Sequence, residues 1–232
     1  NKTAFITGAG GYIGTQTAIT LAKEGINIAV CDISEKSVQA TADKINAIGG
    51  DTKGYVSDVT DSKAIEAAVQ KAAADFGSLD IMIHIAGGSA RIAGGKYVPL
   101  VEQSDSVIDK VLKVNLYGAF WSSRAAAKIM IEQGRGGKII NFASAVGING
   151  LACCCDYAAS KGGVMSLTKS LAKELGAYKI NVNAVAPGVV MRTEEDNNGD
   201  RATKTNLLGE KCTADDIANL VAFLASDKAR FI

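Results

Sequence analysis

The chain has 232 residues, 47% of them apolar, and its 25 basic and 24 acidic side chains leave a net charge of +1. That balance offers no electrostatic footprint for nucleic acid or an anionic membrane, and no apolar run approaches the ~20 residues that span a bilayer. The length suits one α/β domain with a large core, expected over residues 1–232. Residues 2–6 run straight into a strand pattern, so no signal peptide is expected.

Five cysteines, three of them consecutive at Cys153, Cys154 and Cys155, match neither a disulfide framework nor zinc spacing. Reduced thiols, a cytoplasmic location and no metal are the expectation.

Short β-branched runs alternate with longer helical patterns along the chain. Strands are expected at 3–7, 27–31, 52–57, 81–85, 138–142 and 181–186, and helices at 13–24, 35–48, 62–76, 104–133, 157–175 and 213–225. Several strands are apolar nearly throughout, as in a parallel sheet covered on both faces. The alternation predicts a doubly wound, mostly parallel α/β sheet, with the strand carboxyl ends on one ligand-binding edge. Two longer loops, 88–103 and 188–211, are expected to border the substrate.

The first strand runs into Thr7-Gly8-Ala9-Gly10-Gly11-Tyr12-Ile13-Gly14, which opens a helix. Gly8, Gly11 and Gly14 allow a tight turn and close approach to a pyrophosphate, and the helix start with Tyr12 and Ile13 presents free N–H groups to it. The second strand ends at Asp32-Ile33, 18 residues after Gly14. An acid there can accept hydrogen bonds from both adenosine ribose hydroxyls and would repel a 2′-phosphate, which favours NAD over NADP. The competing reading is an Asp32 helix N-cap. Asp58 and Val59 end the third strand, and Ala86 and Gly87 follow the fourth, where adenine and its ribose would lie. His84, the only histidine, reads as a satisfied and partly buried side chain.

Tyr157 and Lys161 stand one helical turn apart on a shared face. Ser144 lies thirteen residues before the tyrosine, just past the fifth strand, and Asn115 lies inside the helix expected at 104–133. A free tyrosine has a pKa near ~10. A nearby ammonium favours the phenolate, and a two- to three-unit shift needs roughly 3–4 kcal/mol, within reach of one desolvated cation.

Asn115, Ser144 and Tyr157-Ala158-Ala159-Ser160-Lys161 together resemble the short-chain dehydrogenase/reductase family, in its short, single-domain branch, across essentially the whole chain. The resemblance implies a Rossmann-like fold and an NAD-dependent oxidoreductase that interconverts a secondary alcohol and a ketone. It implies Tyr157 as acid/base, Ser144 holding the substrate oxygen, Lys161 lowering the tyrosine pKa and binding the nicotinamide ribose, and Asn115 holding a relay water. Pro187, Gly188 and Val190 resemble the family's nicotinamide-side loop. The family's threonine five residues after that proline is replaced here by Arg192, so Thr193 is the cofactor contact expected instead. The resemblance further implies a homo-oligomer, a tetramer or dimer, built on the helices at 104–133 and 157–175.

Three positions depart from the family pattern. Tyr12 stands at the usual middle glycine, so that Gly8, Gly11 and Gly14 match the spacing of the extended branch, and His84 and Ile85 replace two asparagines. Two alternatives therefore accompany the main reading: an extended-type sugar-nucleotide epimerase-like enzyme, and a non-catalytic dinucleotide-binding regulator. Val146, the three consecutive cysteines and the two long loops are expected to line a pocket for a small alcohol or carbonyl.

Overall fold

A computed structural model describes residues 1–191, 204 and 206–232. Six strands, β1 (Thr3–Thr7), β2 (Asn27–Asp32), β3 (Thr52–Val56), β4 (Ile81–His84), β5 (Gly137–Phe142) and β6 (Ile180–Val185), form one sheet in the order β3-β2-β1-β4-β5-β6. Every pairing is parallel. The strand order reverses direction between β1 and β4, where Thr7 pairs with His84. This is the switch point at which an open α/β sheet leaves a crevice.

The helices are α1 (Tyr12–Lys23), α2 (Glu35–Asn46), α3 (Ser62–Phe76), α4 (Asp105–Leu112), α5 (Gly118–Gln133), α6 (Val146–Asn149), α7 (Cys155–Leu175) and α8 (Ala214–Ala225). Alternation along the strands divides the core into two layers. Ala4, Ile6, Ile28, Val30, Ile81 and Ile83 pack with Leu21 of α1 and Val221 of α8. Phe5, Ala29, Met82 and Ile139 face the other way, onto Ile65 and Val69 of α3 and Met130 of α5. Both faces of the sheet are therefore covered, and burying each large side chain of this kind contributes ~1.5–3 kcal/mol.

The expected strands and helices lie within about two residues of those observed, apart from one helix; the four-residue α6 was not expected. The single helix expected at 104–133 is divided by a π-helical turn, Lys113–Tyr117, between α4 and α5. A π-turn inserts an extra residue into the helical ladder and rotates the side chains around it. Here it carries Asn115 inward, to complete burial. The loop expected at 88–103 contains two short 3₁₀ turns, Ala90–Ala93 and Leu100–Glu102. Much of the loop expected at 188–211 lies outside the described residues, as do Arg192 and Thr193.

Candidate active site

The carboxyl edge of the sheet opens into a cleft of about 650 Å³ across the β1/β4 switch point. One end is built by the glycine turn. Gly8 has φ +65°, and a Cβ there would stand 2.6 Å from the Ala86 nitrogen; a Cβ on Gly14 would stand 2.1 Å from the Gly8 carbonyl oxygen. Only glycine lets α1 seat this tightly on the turn. The first helical bond into the turn runs from the Thr15 N–H to the Gly11 oxygen at 2.8 Å. Helix geometry thus leaves the N–H groups of Tyr12, Ile13 and Gly14 without intrahelical acceptors, at the positive end of the helix dipole. All three residues line the cleft, and no acidic side chain occupies the first turn of α1.

Asp32 lines the same cleft from the end of β2. Its Oδ2 accepts the Gly10 N–H and its Oδ1 the Ser34 N–H, each at 3.1 Å. The N-cap of α2 is Ser34, whose hydroxyl accepts from the Ser37 N–H, so the carboxylate is not the cap. It ties the glycine turn to the second strand while remaining accessible. Gly10, which the sequence reading passed over, makes this possible: a Cβ there would meet the Ser37 Cβ at 2.4 Å. Ile33, Asp58, Val59, Ala86 and Gly87 continue the lining, and Pro187, Gly188 and Val190 close it on the β6 side.

At the other end stand Ser144, Tyr157 and Lys161, brought together from β5 and α7. The Ser144 hydroxyl, just past β5, lies close enough to the Tyr157 phenol to favour its ionised form, and it accepts the Val146 N–H at 3.2 Å. Asp156 fixes the start of α7 by accepting the Tyr157 N–H at 2.8 Å. The buried Lys161 ammonium donates to the Phe142 carbonyl at 2.6 Å and sits 5.8 Å from the Tyr157 ring centroid. Burial alone pulls the lysine pKa down to about 8. Burial also holds the Tyr157 pKa above its ordinary value, and the Ser144 hydroxyl opposes that shift. The direction in the chain by itself is therefore upward, with burial outweighing the hydroxyl, whereas the sequence expectation of a lowered value rests on the Lys161 ammonium.

Asn115 lies behind this wall and does not line the cleft. Its Oδ1 accepts the Gly88 N–H at 2.8 Å, and its Nδ2 donates to the Gly88 carbonyl at 2.8 Å and to the Ser160 hydroxyl at 3.0 Å. Ser160 in turn donates to the Tyr157 carbonyl at 2.8 Å. The side chain is thus fully engaged in protein contacts.

His84 is completely buried rather than partly so. Its Nδ1 is hydrogen-bonded to Thr7 Oγ1 at 2.9 Å and to Ser122 Oγ at 3.3 Å. Burial first, and the nearby Lys161 charge second, press its pKa down to about 3, although the Val114 and Asn115 carbonyls favour the proton.

Every proposed cofactor contact within the described residues lines this one cleft; Thr193 lies outside them. Val146 and the three consecutive cysteines are not among the lining residues, although the buried Cys154 lies close enough to Tyr157 to disfavour its ionisation. Ser89, Ile92, Tyr97 and Lys110 also line the cleft and were not singled out individually from sequence. Among the described residues there is no disulfide and no cluster of His, Cys, Asp or Glu suited to a metal, and no helix is long and apolar enough to cross a membrane.

Known proteins share this architecture. Residues 2–203 match the family described as short chain dehydrogenase. The chain is 37% identical over 236 residues to a 3-oxoacyl-(acyl-carrier-protein) reductase from Staphylococcus aureus, covering 100% of this chain and 93% of that protein. It is 36% identical over 236 residues to D-threitol dehydrogenase from Mycolicibacterium smegmatis, covering 100% of this chain and 88% of that protein. Its fold matches that of NAD+-bound xylitol dehydrogenase with a TM-score of 0.91 at 29% identity, covering 100% of this chain and 94% of the other. With the fold, the cleft and the sequence all in agreement, this chain belongs to the short-chain dehydrogenase/reductase family of oxidoreductases.

Proposed function

We propose that this protein is an NAD(H)-dependent oxidoreductase that interconverts a secondary alcohol and a ketone, with Tyr157 as the acid/base. The observation that carries this reading is the Tyr157 phenol lining the same cleft as Ser144 and the glycine turn, with the Lys161 ammonium 5.8 Å from its ring centre.

The residues fit a nicotinamide dinucleotide. Gly8 and Gly14 leave room for a pyrophosphate against the open N–H groups of α1. Asp32 retains lone pairs for ribose hydroxyls beside its two backbone bonds, and its immediate neighbours, Cys31 and Ile33, offer no cation to a 2′-phosphate. A Cβ on Gly87 would stand 3.3 Å from the Lys161 ammonium, so only a glycine leaves that charge open toward a second ribose. Pro187, Gly188 and Val190 would border the nicotinamide. The bound cofactor would supply or accept the hydride.

The chain's own work is with the proton and the substrate oxygen. Ser144 donates a hydrogen bond to that oxygen and fixes it beside the phenol. In reduction, Tyr157 gives its proton to the oxygen as negative charge develops there, and the raised pKa keeps that proton in place beforehand. Lys161 then stabilises the phenolate until solvent returns a proton. Oxidation runs the same proton in reverse. A panel of alcohols and ketones followed by NADH absorbance tests the assignment, and Tyr157→Phe should bind NADH but not turn over. Substantial activity in that variant would remove the assigned mechanism.

The epimerase-like alternative rests on the 8, 11, 14 glycine spacing. In the structure Gly10 is as tightly packed as the others and holds Asp32, so that spacing alone does not describe the turn. The regulator alternative has no structural observation in its favour. A homo-oligomer is part of the proposal, supported by the half-exposed Tyr117 and Phe120 at the start of α5. A monomer in sedimentation at micromolar concentration would contradict it.

A further inference from the structure

The cleft holds two hydroxyls that the chemistry above does not use. Tyr97 Oη and Ser89 Oγ lie 2.8 Å apart and both residues line the cleft. Tyr97 lies close enough to Tyr157 to disfavour its ionisation. The pair is held in place rather than loosely displayed. Gly88, immediately before Ser89, has both of its backbone polar groups gripped by Asn115. Ser89 then begins the Ala90–Ala93 turn. The Arg91 guanidinium lies 5.4 Å from the centre of the Tyr97 ring, a cation–π distance that steadies the ring and adds positive charge beside it. Lys110 of α4 lines the same cleft.

Two hydroxyls share two protons. Whichever one serves the bond between them, the other remains to be donated, and lone pairs remain to accept. Such a pair is matched to a substrate oxygen that both donates and accepts, and the neighbouring Arg91 guanidinium reinforces a polar guest over an apolar one. An aliphatic chain laid against it would leave the hydroxyls facing hydrocarbon.

Resting on the oxidoreductase reading, we propose that Ser89 and Tyr97 form a recognition site for a second substrate oxygen, close to the reacting carbon, so that the preferred substrates are diols, polyols and hydroxy ketones rather than simple alcohols and ketones. Specificity arises because a site built to hydrogen-bond a hydroxyl disfavours the analogue that lacks it. Tyr97 is 44% exposed, so water can partly replace the missing hydroxyl. The discrimination is therefore about tenfold to a hundredfold, short of the far larger factors of fully buried sites.

The test compares butane-2,3-diol with butan-2-ol, and acetoin with butanone, for the wild type, Tyr97→Phe and Ser89→Ala. The wild type should favour the oxygenated partner of each pair at least tenfold in kcat/KM. Tyr97→Phe should shrink that ratio severalfold, mainly through KM for the oxygenated substrate. It should leave the NADH dissociation constant, read by fluorescence, unchanged, and should affect the simple substrates much less than the oxygenated ones. Turnover with a ratio near one in the wild type, or an equal loss on both substrates in Tyr97→Phe, overturns the recognition site alone. Absence of turnover on a wide alcohol and ketone panel overturns the oxidoreductase reading and this inference with it.

Discussion

Asn115 grips Gly88 by both of its backbone polar groups: Oδ1 accepts the N–H and Nδ2 donates to the carbonyl, each at 2.8 Å. One side chain inside a π-turn thereby joins the catalytic wall, through Ser160 and the Tyr157 carbonyl, to the loop that carries Ser89 and Tyr97.

That clamp makes Asn115 a positioning residue with a measurable signature. Replacing it by Ala removes two hydrogen bonds to Gly88 and one to Ser160, each contributing about 1 kcal/mol, more where a buried group is left unpaired. Asn115→Ala should lose roughly 2–4 kcal/mol of stability in urea unfolding. It should raise KM as well as lower kcat, because the loop and the catalytic wall both shift. Asn115→Asp keeps the acceptor for the Gly88 N–H but sets a carboxylate against the Gly88 carbonyl, and should recover little. A variant whose stability and KM both match wild type would show that the clamp contributes nothing.

Lys161 sets a trade between stability and activity. Its folded pKa of about 8 lies below the ordinary 10.5 because the charged form is buried. Below pH 8 the ammonium is charged in both folded and unfolded chains, and its burial costs on the order of 3 kcal/mol. Between pH 8 and 10.5 the unfolded chain binds the extra proton, so stability contributed by this group rises with pH across that window. Lys161→Met should therefore be at least as stable as wild type at pH 7, even after losing the bond to the Phe142 carbonyl, while kcat falls by two or more orders of magnitude. The measurement is thermal unfolding beside NADH-linked turnover on one preparation. A strongly destabilised Lys161→Met would show that the hydrogen bond outweighs the desolvation.

Much of this site was legible before the structure because its signals are local. Tyr157 and Lys161 share a helix face, Ser144 follows a strand end, and the glycine turn joins a strand to a helix, so short-range periodicity places them all. The strands were legible for the same reason, their two-residue alternation being written in the chain. What escaped depends on long-range encounters. Gly88 meets Asn115 across 27 residues, and that meeting accompanies a π-turn that no helical period announces. Tyr97 sits in a stretch without periodicity, and only the fold brings it into the cleft that Tyr157 lines. The sequence displays a lysine four residues from Tyr157 but not the depth at which the tyrosine is buried, and that burial is the largest influence raising its pKa.

Asp32 should govern cofactor choice. Its carboxylate already accepts from Gly10 and Ser34 at 3.1 Å, so it is oriented before any ligand arrives. Hydrogen bonds to a charged acceptor contribute about 1.5–3 kcal/mol, which corresponds to roughly ten- to a hundredfold in affinity. Asp32→Asn, which preserves the shape, should weaken NADH binding by about that factor. It should leave NADPH binding the same or tighter, because the repulsion of a 2′-phosphate is gone. Fluorescence titration of both cofactors against both proteins decides it. An unchanged NADH to NADPH ratio removes Asp32 from the selection.

His84 should make the fold acid-sensitive. Its imidazole is wholly buried and neutral, with a folded pKa of about 3 against an ordinary value of 6.5. Above pH 6.5 it is neutral in both folded and unfolded chains and adds no pH dependence. As the pH falls from 6.5 towards 3, the unfolded chain takes up the proton and the folded one does not, so stability drains away across that window. The full shift corresponds to several kcal/mol, on the scale of a domain's whole stability. His84→Gln retains a side chain able to hydrogen-bond Thr7 and Ser122 but cannot titrate. It should flatten the fall in urea midpoint between pH 6.5 and 4, even if it is the less stable protein at pH 7.5. The decisive quantity is the slope of stability against pH, not its height, because lost packing lowers the whole curve equally. Parallel slopes in the two proteins would place the acid sensitivity in other groups.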